Sequence, residues 1–216
     1  DRVLLIAASL RRTVSSTGDV KRLVNLSCLA SIPRTTPKRR KSGAQTGLLI
    51  SHMQTDSAFC EAYRLLRLKL LRQLKEEDKI LMVTSSIPSE GKSSVSVNLA
   101  LSLAREGKKV LLIDGDLRGP SDKALLGITK PSEGLGQCLS GSLDQVHFLR
   151  YEETSLYVFA GSQPIQSPMN LLQYDKLEAL MNTLRPMFDY IVLDTPPCAM
   201  MADALALCRH VDRVVY

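Results

Sequence analysis

Residues 85–94 read SSIPSEGKSS and form a polar stretch between two apolar ones. The run at 80–84 before it is typical of a buried strand, and the residues from Lys92 to about Arg105 have the apolar spacing of a helix. The stretch matches the end of the pattern G-x-x-x-x-G-K-[ST], with Ser86 in the place of the first glycine. Because strand, loop and helix follow in this order, the sequence predicts a phosphate-binding loop. An ordinary strand-to-helix turn is the alternative.

The chemistry of such a loop assigns a part to its residues. Backbone N–H groups at the start of a helix point towards bound phosphate, and the helix dipole favours negative charge there. Lys92 would reach the β- and γ-phosphates of ATP, and the hydroxyl of Ser93 would ligate Mg²⁺. The predicted nucleotide-binding residues are Ser86, Pro88, Ser89, Glu90, Gly91, Lys92, Ser93 and Ser94.

Three acidic residues follow apolar runs that are typical of buried strands. Asp114 and Asp116 come after the run at 110–113, and Asp194 comes after the run at 190–193. Ligands bind at the carboxyl ends of parallel strands, so these acids are expected to converge near the predicted loop. There they could hold Mg²⁺ or accept a hydroxyl proton, although any single acid could instead cap a strand end. The predicted catalytic residues are Lys92, Asp114, Asp116 and Asp194.

The remaining periodicity predicts the fold class. Two apolar strands joined by a helix within residues 80–113 form a βαβ unit, whose crossover requires parallel strands. Further strands are predicted at 156–160, 190–193 and from 213 onward, with helices at 169–184 and 201–208. We expect an α/β, P-loop NTPase-type three-layer sandwich with a mostly parallel central sheet. We expect it to be C-terminally truncated, because the chain stops in an apolar strand that no helix covers.

The predicted domain covers residues 55–216 and opens with a helix at 55–75. Thr55, Asp56 or Ser57 can cap the start of this helix. Its apolar residues recur at intervals of about four and three, which places them on one face. They are Phe59, Tyr63, Leu66 and Leu70.

Residues 1–54 are predicted to be a juxtamembrane or linker segment. A short helix at 20–24 and a strand at 28–32 are expected, followed by an unpatterned linker at 33–47. The net charge of +6 is concentrated here, with five basic residues at 34–41: Arg34, Lys38, Arg39, Arg40 and Lys41. A nucleic-acid surface would need aromatic side chains for stacking, and none interleaves with these charges. The run therefore fits a segment that faces anionic lipid, or a solvated linker.

Two further classes of protein are disfavoured. The chain has no run of about 18 apolar residues, so we predict no membrane-spanning helix. Its five cysteines are odd in number, and none belongs to a C-x-x-C pair. We therefore expect reduced thiols rather than a disulfide framework or a zinc site.

Together these motifs resemble those of the bacterial tyrosine kinases, P-loop autokinases that control export and chain length of capsular and exopolysaccharides. The matching elements are S-x-x-P-x-E-G-K-S at 85–93, D-x-D-x-R at 114–118, D-T-P-P at 194–197 and E-x-x-R-x-x-R at 61–67. The D-x-D-x-R element, called Walker A′ in that family, is the specific part. The resemblance spans about residues 55–216.

The resemblance implies ATP and Mg²⁺ as cofactors, with Ser93, Asp116 and Asp194 as metal ligands. It also implies that Glu61, Arg64 and Arg67 dock one subunit on the next in a ring-like homo-oligomer that phosphorylates in trans. At about 100° per residue, three positions spaced by three cover about 120° of a helix, which makes one polar stripe. On spacing alone, that stripe could equally be a solvated charged face.

The resemblance implies further partners and a location. They are a transmembrane adaptor or chain-length determinant domain, fused upstream or separate, and a tyrosine phosphatase, but no nucleic acid. The expected location is the cytoplasmic face of the bacterial plasma membrane. Three departures from the family are expected to matter. Ser89 stands where glycine is common, and Gly119 follows Arg118 where another basic residue is common. The sequence also stops before the adenine-binding segment and the tyrosine-rich tail that the family would have.

Two other functions stay open. Partition or cell-division ATPases share the broad fold but carry an extra lysine in the pattern K-G-G-x-G-K-[ST]; that position is Ile87 here. The second is an interaction module that binds nucleotide without catalysis.

Overall fold

The structure, a computed structural model, describes residues 17–26, 28–33, 49–141, 146–161 and 163–216. The basic run at 34–41 lies outside these residues, and its role stays a prediction, as does the domain boundary at 54. The helices are α1 (Thr17–Val24), α2 (Ala58–Leu71), α3 (Lys92–Arg105), α4 (Asp122–Leu125), α5 (Leu135–Ser140), α6 (Tyr174–Leu184) and α7 (Ala202–Cys208). The strands are β1 (Ile80–Val83), β2 (Val110–Asp114), β3 (Leu149–Arg150), β4 (Leu156–Phe159), β5 (Tyr190–Asp194) and β6 (Arg213–Val215).

The strands form one sheet in the order β3-β4-β2-β5-β1-β6. All neighbouring pairs are parallel except β3 with β4. The register pairs Ile80 with Ile191 and Asp114 with Asp194, so the carboxyl ends of β2 and β5 meet at the same edge. The predicted α/β class with a mostly parallel sheet is confirmed.

The sheet is covered on both faces because its strand residues alternate between two apolar clusters. Leu81, Leu112 and Val192 belong to a cluster that includes residues of α2 and α3. Ile80 and Leu111 belong to the other, which includes residues of α5, α6 and α7. These strands are therefore buried on both sides, as their continuous apolar runs predicted.

Helix α2 is shorter than the predicted span of 55–75. Of the three expected capping residues, Ser57 is the one that caps it, since its Oγ accepts a 3.2 Å hydrogen bond from the backbone N–H of Cys60. The predicted apolar face is buried in full: Phe59, Tyr63, Leu66 and Leu70.

Two other predicted elements are wrong in part. Residues 28–32 form no strand; Leu29, Ala30 and Ile32 instead pack, half-buried, against the cluster of α2 and α3. The helix predicted at 169–184 is a 3-10 turn at Pro168–Asn170 followed by α6. Among the described residues, no helix is both long and apolar enough to cross a bilayer.

Candidate active site

The loop at 85–91 leaves the carboxyl end of β1 and runs directly into α3. Its first residue, Ser85, is buried, whereas residues 87–91 are exposed. Gly91 is the residue before the helix and has a φ of 94°, a left-handed conformation that glycine adopts without strain. Ser89 has a φ of 67°, so it occupies the same region at a cost. The Glu90 carboxylate accepts a 3.1 Å bond from the backbone N–H of Ile87.

Lys92 lies between the predicted acids. Its Nζ is 3.2 Å from Asp116 Oδ2 and 3.7 Å from Asp194 Oδ2, and it donates a 3.2 Å hydrogen bond to Ser93 Oγ. Burial lowers the pKa of Lys92, but the charges of Asp194 and Asp116 outweigh it, so the net pKa is raised. The ammonium group of Lys92 is therefore held in its charged form where the loop meets α3.

Asp194 ends β5 at the floor of the site. It is fully buried, and its Oδ1 accepts a 2.8 Å hydrogen bond from Ser96 Oγ on α3. Its Oδ2 has no hydrogen-bond partner within the described part of the chain. Burial raises the pKa of Asp194, and the Lys92 charge and hydrogen bonds from Ser93 and Ser96 partly offset this.

Asp114 and Asp116, two residues apart, differ in accessibility. Asp114 is 2% exposed and accepts hydrogen bonds from the backbone N–H groups of Asp116, Ser121 and Asp122, at 3.2, 2.8 and 3.0 Å. Burial and the Asp194 charge raise the pKa of Asp114 to about 7 despite these bonds. The Asp116 side chain is half-buried and reaches the surface beside Lys92. Of the two acids, Asp116 is the one that a substrate could contact.

The predicted metal ligands fit a Mg²⁺ ion by their chemistry. Ser93 and Asp116 both contact the Lys92 ammonium group, and Asp194 lies 3.7 Å from it, so the three oxygen groups surround one point. Hydroxyl and carboxylate oxygens are ligands that Mg²⁺ prefers, and Asp194 Oδ2 is buried without a hydrogen bond. These residues could hold the ion together with the phosphates of a nucleotide.

Two buried acids near this site were missed by sequence reasoning. Asp122, the first residue of α4, is fully buried and has an oxygen within 4.8 Å of oxygens of Asp114 and Asp194. Asp203, in α7, accepts a 2.7 Å hydrogen bond from Nε of Arg118, the arginine of the D-x-D-x-R element. The sequence signal for both was slight, because an Asp at the start of a helix usually serves as a cap.

The predicted polar stripe on α2 is only partly exposed. Glu61 and Arg64 are half-exposed and pair with one another. Arg67 is 7% exposed, and it donates hydrogen bonds of 3.0 and 3.1 Å to the carbonyl and hydroxyl of Ser102 on α3. It also pairs with Glu106 at 2.8 Å. Arg67 therefore binds α2 to α3 within the same chain and is not part of a solvated face. The docking of one subunit on the next by Glu61, Arg64 and Arg67 stays a prediction.

The chain is similar in sequence to known P-loop proteins. The ParA family model, described as NUBPL iron-transfer P-loop NTPase, matches residues 76–213. The chain is 40% identical over 138 residues to tyrosine-protein kinase CpsD of Streptococcus pneumoniae serotype 4, which covers 62% of this chain and 60% of CpsD. It is 30% identical over 171 residues to putative tyrosine-protein kinase CapB of Staphylococcus aureus, covering 77% of this chain and 74% of CapB.

Two solved structures have a similar fold. The kinase domain of the Escherichia coli tyrosine kinase ETK matches with a TM-score of 0.79 and 27% identity, covering 92% of this chain and 79% of that domain. The chimerical protein CapA2B2 matches with a TM-score of 0.77 and 27% identity, covering 93% of this chain and 84% of the chimera. The chain spans about 60% of the length of the first curated relatives that it matches.

Proposed function

Because this chain belongs to the bacterial tyrosine kinase family of P-loop NTPases, we propose that it transfers the γ-phosphoryl group of ATP to tyrosine hydroxyls. We further propose that this autokinase activity regulates the polymerisation and export of exopolysaccharide or capsule. The observation that carries the first proposal is the placement of Lys92 against Asp116 and Asp194, directly after the phosphate-binding loop.

The proposed mechanism is positioning and charge neutralisation. The loop N–H groups and the start of α3 bind the phosphates, and Lys92 turns from its acids to the β- and γ-phosphates. A Mg²⁺ ion held by Ser93, Asp116 and Asp194 would neutralise the negative charge of the phosphates. Asp116 is also the acid that an incoming tyrosine could reach, whereas Asp114 is too deeply buried to touch a substrate. Asp114 instead orients the backbone that carries Asp116.

We propose that phosphorylation occurs in trans within a ring-like homo-oligomer. The half-exposed pair Glu61 and Arg64 on α2 would supply a polar surface for a neighbouring subunit. A transmembrane adaptor, fused or separate, would place the kinase at the cytoplasmic face of the plasma membrane, and a tyrosine phosphatase would reverse its action. The ring, the adaptor and the phosphatase rest on the resemblance of the motifs to the family, and the relatives named tyrosine-protein kinases support the kinase activity itself.

The test is a phosphotyrosine immunoblot of the native-length protein incubated with Mg-ATP. Lys92→Met and Asp116→Ala should each abolish the signal, while Lys108→Met, at an exposed position in the turn after α3, should retain it. Circular dichroism should show that all three variants are folded. A signal that persists in Lys92→Met, at the level of the unaltered protein, would refute the proposal.

A second candidate is ATP hydrolysis without tyrosine transfer, as in partition-type ATPases. The match to the ParA family model favours it, whereas Ile87 in place of the extra lysine does not. Release of inorganic phosphate in an assay that yields no phosphotyrosine would favour hydrolysis. If neither product forms, the chain is a nucleotide-binding interaction module.

A further inference from the structure

Asp122 is a buried carboxylate for which the proposed reaction has no use. It is 0% exposed, and neither of its side-chain oxygens has a hydrogen-bond partner among the described residues. Buried polar groups in folded proteins are almost always hydrogen-bonded, and a buried charge is costly unless it is paired or bound to a metal. Asp122 therefore needs a partner.

The neighbours of Asp122 are two more buried acids. One oxygen each of Asp114, Asp122 and Asp194 lie within 4.8 Å of one another. In an octahedral shell with ligands about 2.1 Å from Mg²⁺, oxygens are about 3.0 Å apart in cis and about 4.2 Å in trans. Ligands about 2.4 Å from Ca²⁺ would be separated by about 3.4 to 4.8 Å. The limit of 4.8 Å equals the trans separation for Ca²⁺ and exceeds that for Mg²⁺, so the three carboxylates could share a Mg²⁺ ion after approaching one another slightly.

Basic groups of the protein do not balance the negative charge of these three carboxylates. Within the residues that the structure describes, Lys92 is the one basic side chain within 4 Å of these carboxylates, and it contacts Asp194 and Asp116. The three backbone N–H groups at this place all bond to Asp114, so they do nothing for Asp122. Like charges so close in a buried place repel strongly unless a bound proton or a cation neutralises them.

We propose that Asp114, Asp122 and Asp194 bind a divalent cation of the Mg²⁺ or Mn²⁺ class without any nucleotide. This buried site is separate from the ion that a nucleotide would bring to Ser93. Asp194 lies between the two positions, because its Oδ2 is near Lys92 while the same residue belongs to the buried acid group. The Lys92 and Asp116 side chains beside Asp194 are half-buried rather than fully buried.

Mn²⁺ binding to the native-length, nucleotide-free protein tests the site. After treatment with EDTA and buffer exchange, titration followed by electron paramagnetic resonance should show one Mn²⁺ bound per chain. Asp122→Asn should weaken binding at least tenfold. Glu133→Gln, an exposed acid in the loop after α4, and Ser93→Ala should leave it unchanged. Mn²⁺ should also raise the melting temperature of the unaltered protein and of Ser93→Ala, but not that of Asp122→Asn.

Two results would overturn the proposal: no Mn²⁺ bound by the unaltered protein without nucleotide, or equal binding by Asp122→Asn. Circular dichroism in EDTA establishes that the variant is folded. If Asp122→Asn does not fold, Asp122→Ser serves as the second variant, and retained binding by it would count against the site in the same way. The proposal rests on the proposed function only through Asp194, which both sites share. Because Mn²⁺ binding is measured without nucleotide, a failure of this site and a failure of the kinase assay are distinguishable.

Discussion

The phenol of Tyr63, on α2, donates a 3.3 Å hydrogen bond to the backbone carbonyl of Ser94, in the first turn of α3. The same carbonyl accepts a 2.8 Å bond from Nδ2 of Asn98. Tyr63 is almost completely buried, and burial raises its pKa well above its ordinary value. The helix that carries Glu61 and Arg64 is thus bonded to the helix that begins at the phosphate-binding loop.

Removing this bond should have a modest cost. Tyr63→Phe should lower the free energy of unfolding by about 1 kcal/mol, because Asn98 still satisfies the carbonyl of Ser94. Denaturant unfolding measures the difference, with Tyr174→Phe at an exposed position as the control. A decrease in the free energy of unfolding of more than about 3 kcal/mol would show that the Tyr63 hydroxyl stabilises the fold by more than this one hydrogen bond.

The two arginines of the α2 motif should behave differently. Arg67→Ala removes two hydrogen bonds to Ser102 and should lower the free energy of unfolding by about 2 kcal/mol. Arg64→Ala, at a half-exposed position, should cost at most about 0.5 kcal/mol. Denaturant unfolding of the monomeric protein at low concentration distinguishes the two.

The variants Arg64→Ala and Arg67→Ala also test whether α2 contacts a neighbouring subunit. If Arg64 contacts a neighbouring subunit, Arg64→Ala should shift the protein towards monomer in analytical ultracentrifugation while its unfolding is unchanged. Loss of assembly in Arg67→Ala with full monomer stability would contradict the internal role found for Arg67.

A side chain at position 91 should destabilise the protein only because of the backbone conformation there. Nothing lies within 4 Å of the position that a Cβ would take, but the φ of 94° disfavours any other residue. Gly91→Ala should therefore lower the free energy of unfolding by about 1–2 kcal/mol. Gly119→Ala is the matched control, since that glycine also has open space around it and no left-handed φ. Equal effects of the two changes on thermal unfolding would exclude this explanation.

Asp212 should make stability depend on pH. Its carboxylate accepts bonds from the backbone N–H groups of Lys79 and Ile80, at 2.8 and 2.7 Å, and from Arg185 at 2.7 Å. Burial raises the pKa of Asp212, but these bonds outweigh it and hold the pKa below its ordinary value of 3.8. The stabilisation is present above that value and is lost as the pH falls through the lower pKa of the folded state.

Asp212→Asn should therefore be destabilised by about 1–2 kcal/mol at pH 7. The difference from the unaltered protein should shrink as the pH falls below about 3.8. Urea unfolding at pH 7, 5 and 3 measures it, with the exposed Asp175→Asn as control. A difference that stays constant over this range would mean that the ionised carboxylate is not what holds β6 to β1.

Patterns with strong local signals were predicted well from the sequence. The loop at 85–91 and the strands on both sides of α3 follow from apolar runs and glycine chemistry, which depend on neighbours in the chain. The convergence of Asp114 and Asp194 followed from one topological rule, that parallel strands end at a common edge. The resemblance to the bacterial tyrosine kinases is likewise confirmed by the relatives.

Features that depend on tertiary packing were not predicted. At about 100° per residue, Arg67 lies about 40° from Tyr63 and about 60° from Leu70 around α2, so it borders the buried face. Whether such a residue is exposed depends on the partner helix, which the sequence of α2 does not contain. Strand β3 has only two residues, too few for a periodic pattern. Asp122 is buried because α4 returns its first residue beneath the ends of β2 and β5.

The sheet order also bears on how the chain is made. Strand β1, which supports the phosphate-binding loop, lies between β5 and β6, and Ile80 pairs with Ile191, about 110 residues later. At about 5–20 residues per second, a ribosome needs roughly 5–20 s to deliver those partners. Throughout that interval the backbone N–H and C=O groups along both edges of β1 lack their native partner strands. The strand that supports the nucleotide site is therefore made well before the strands that complete its pairing, and during that interval β1 is exposed to wrong pairing.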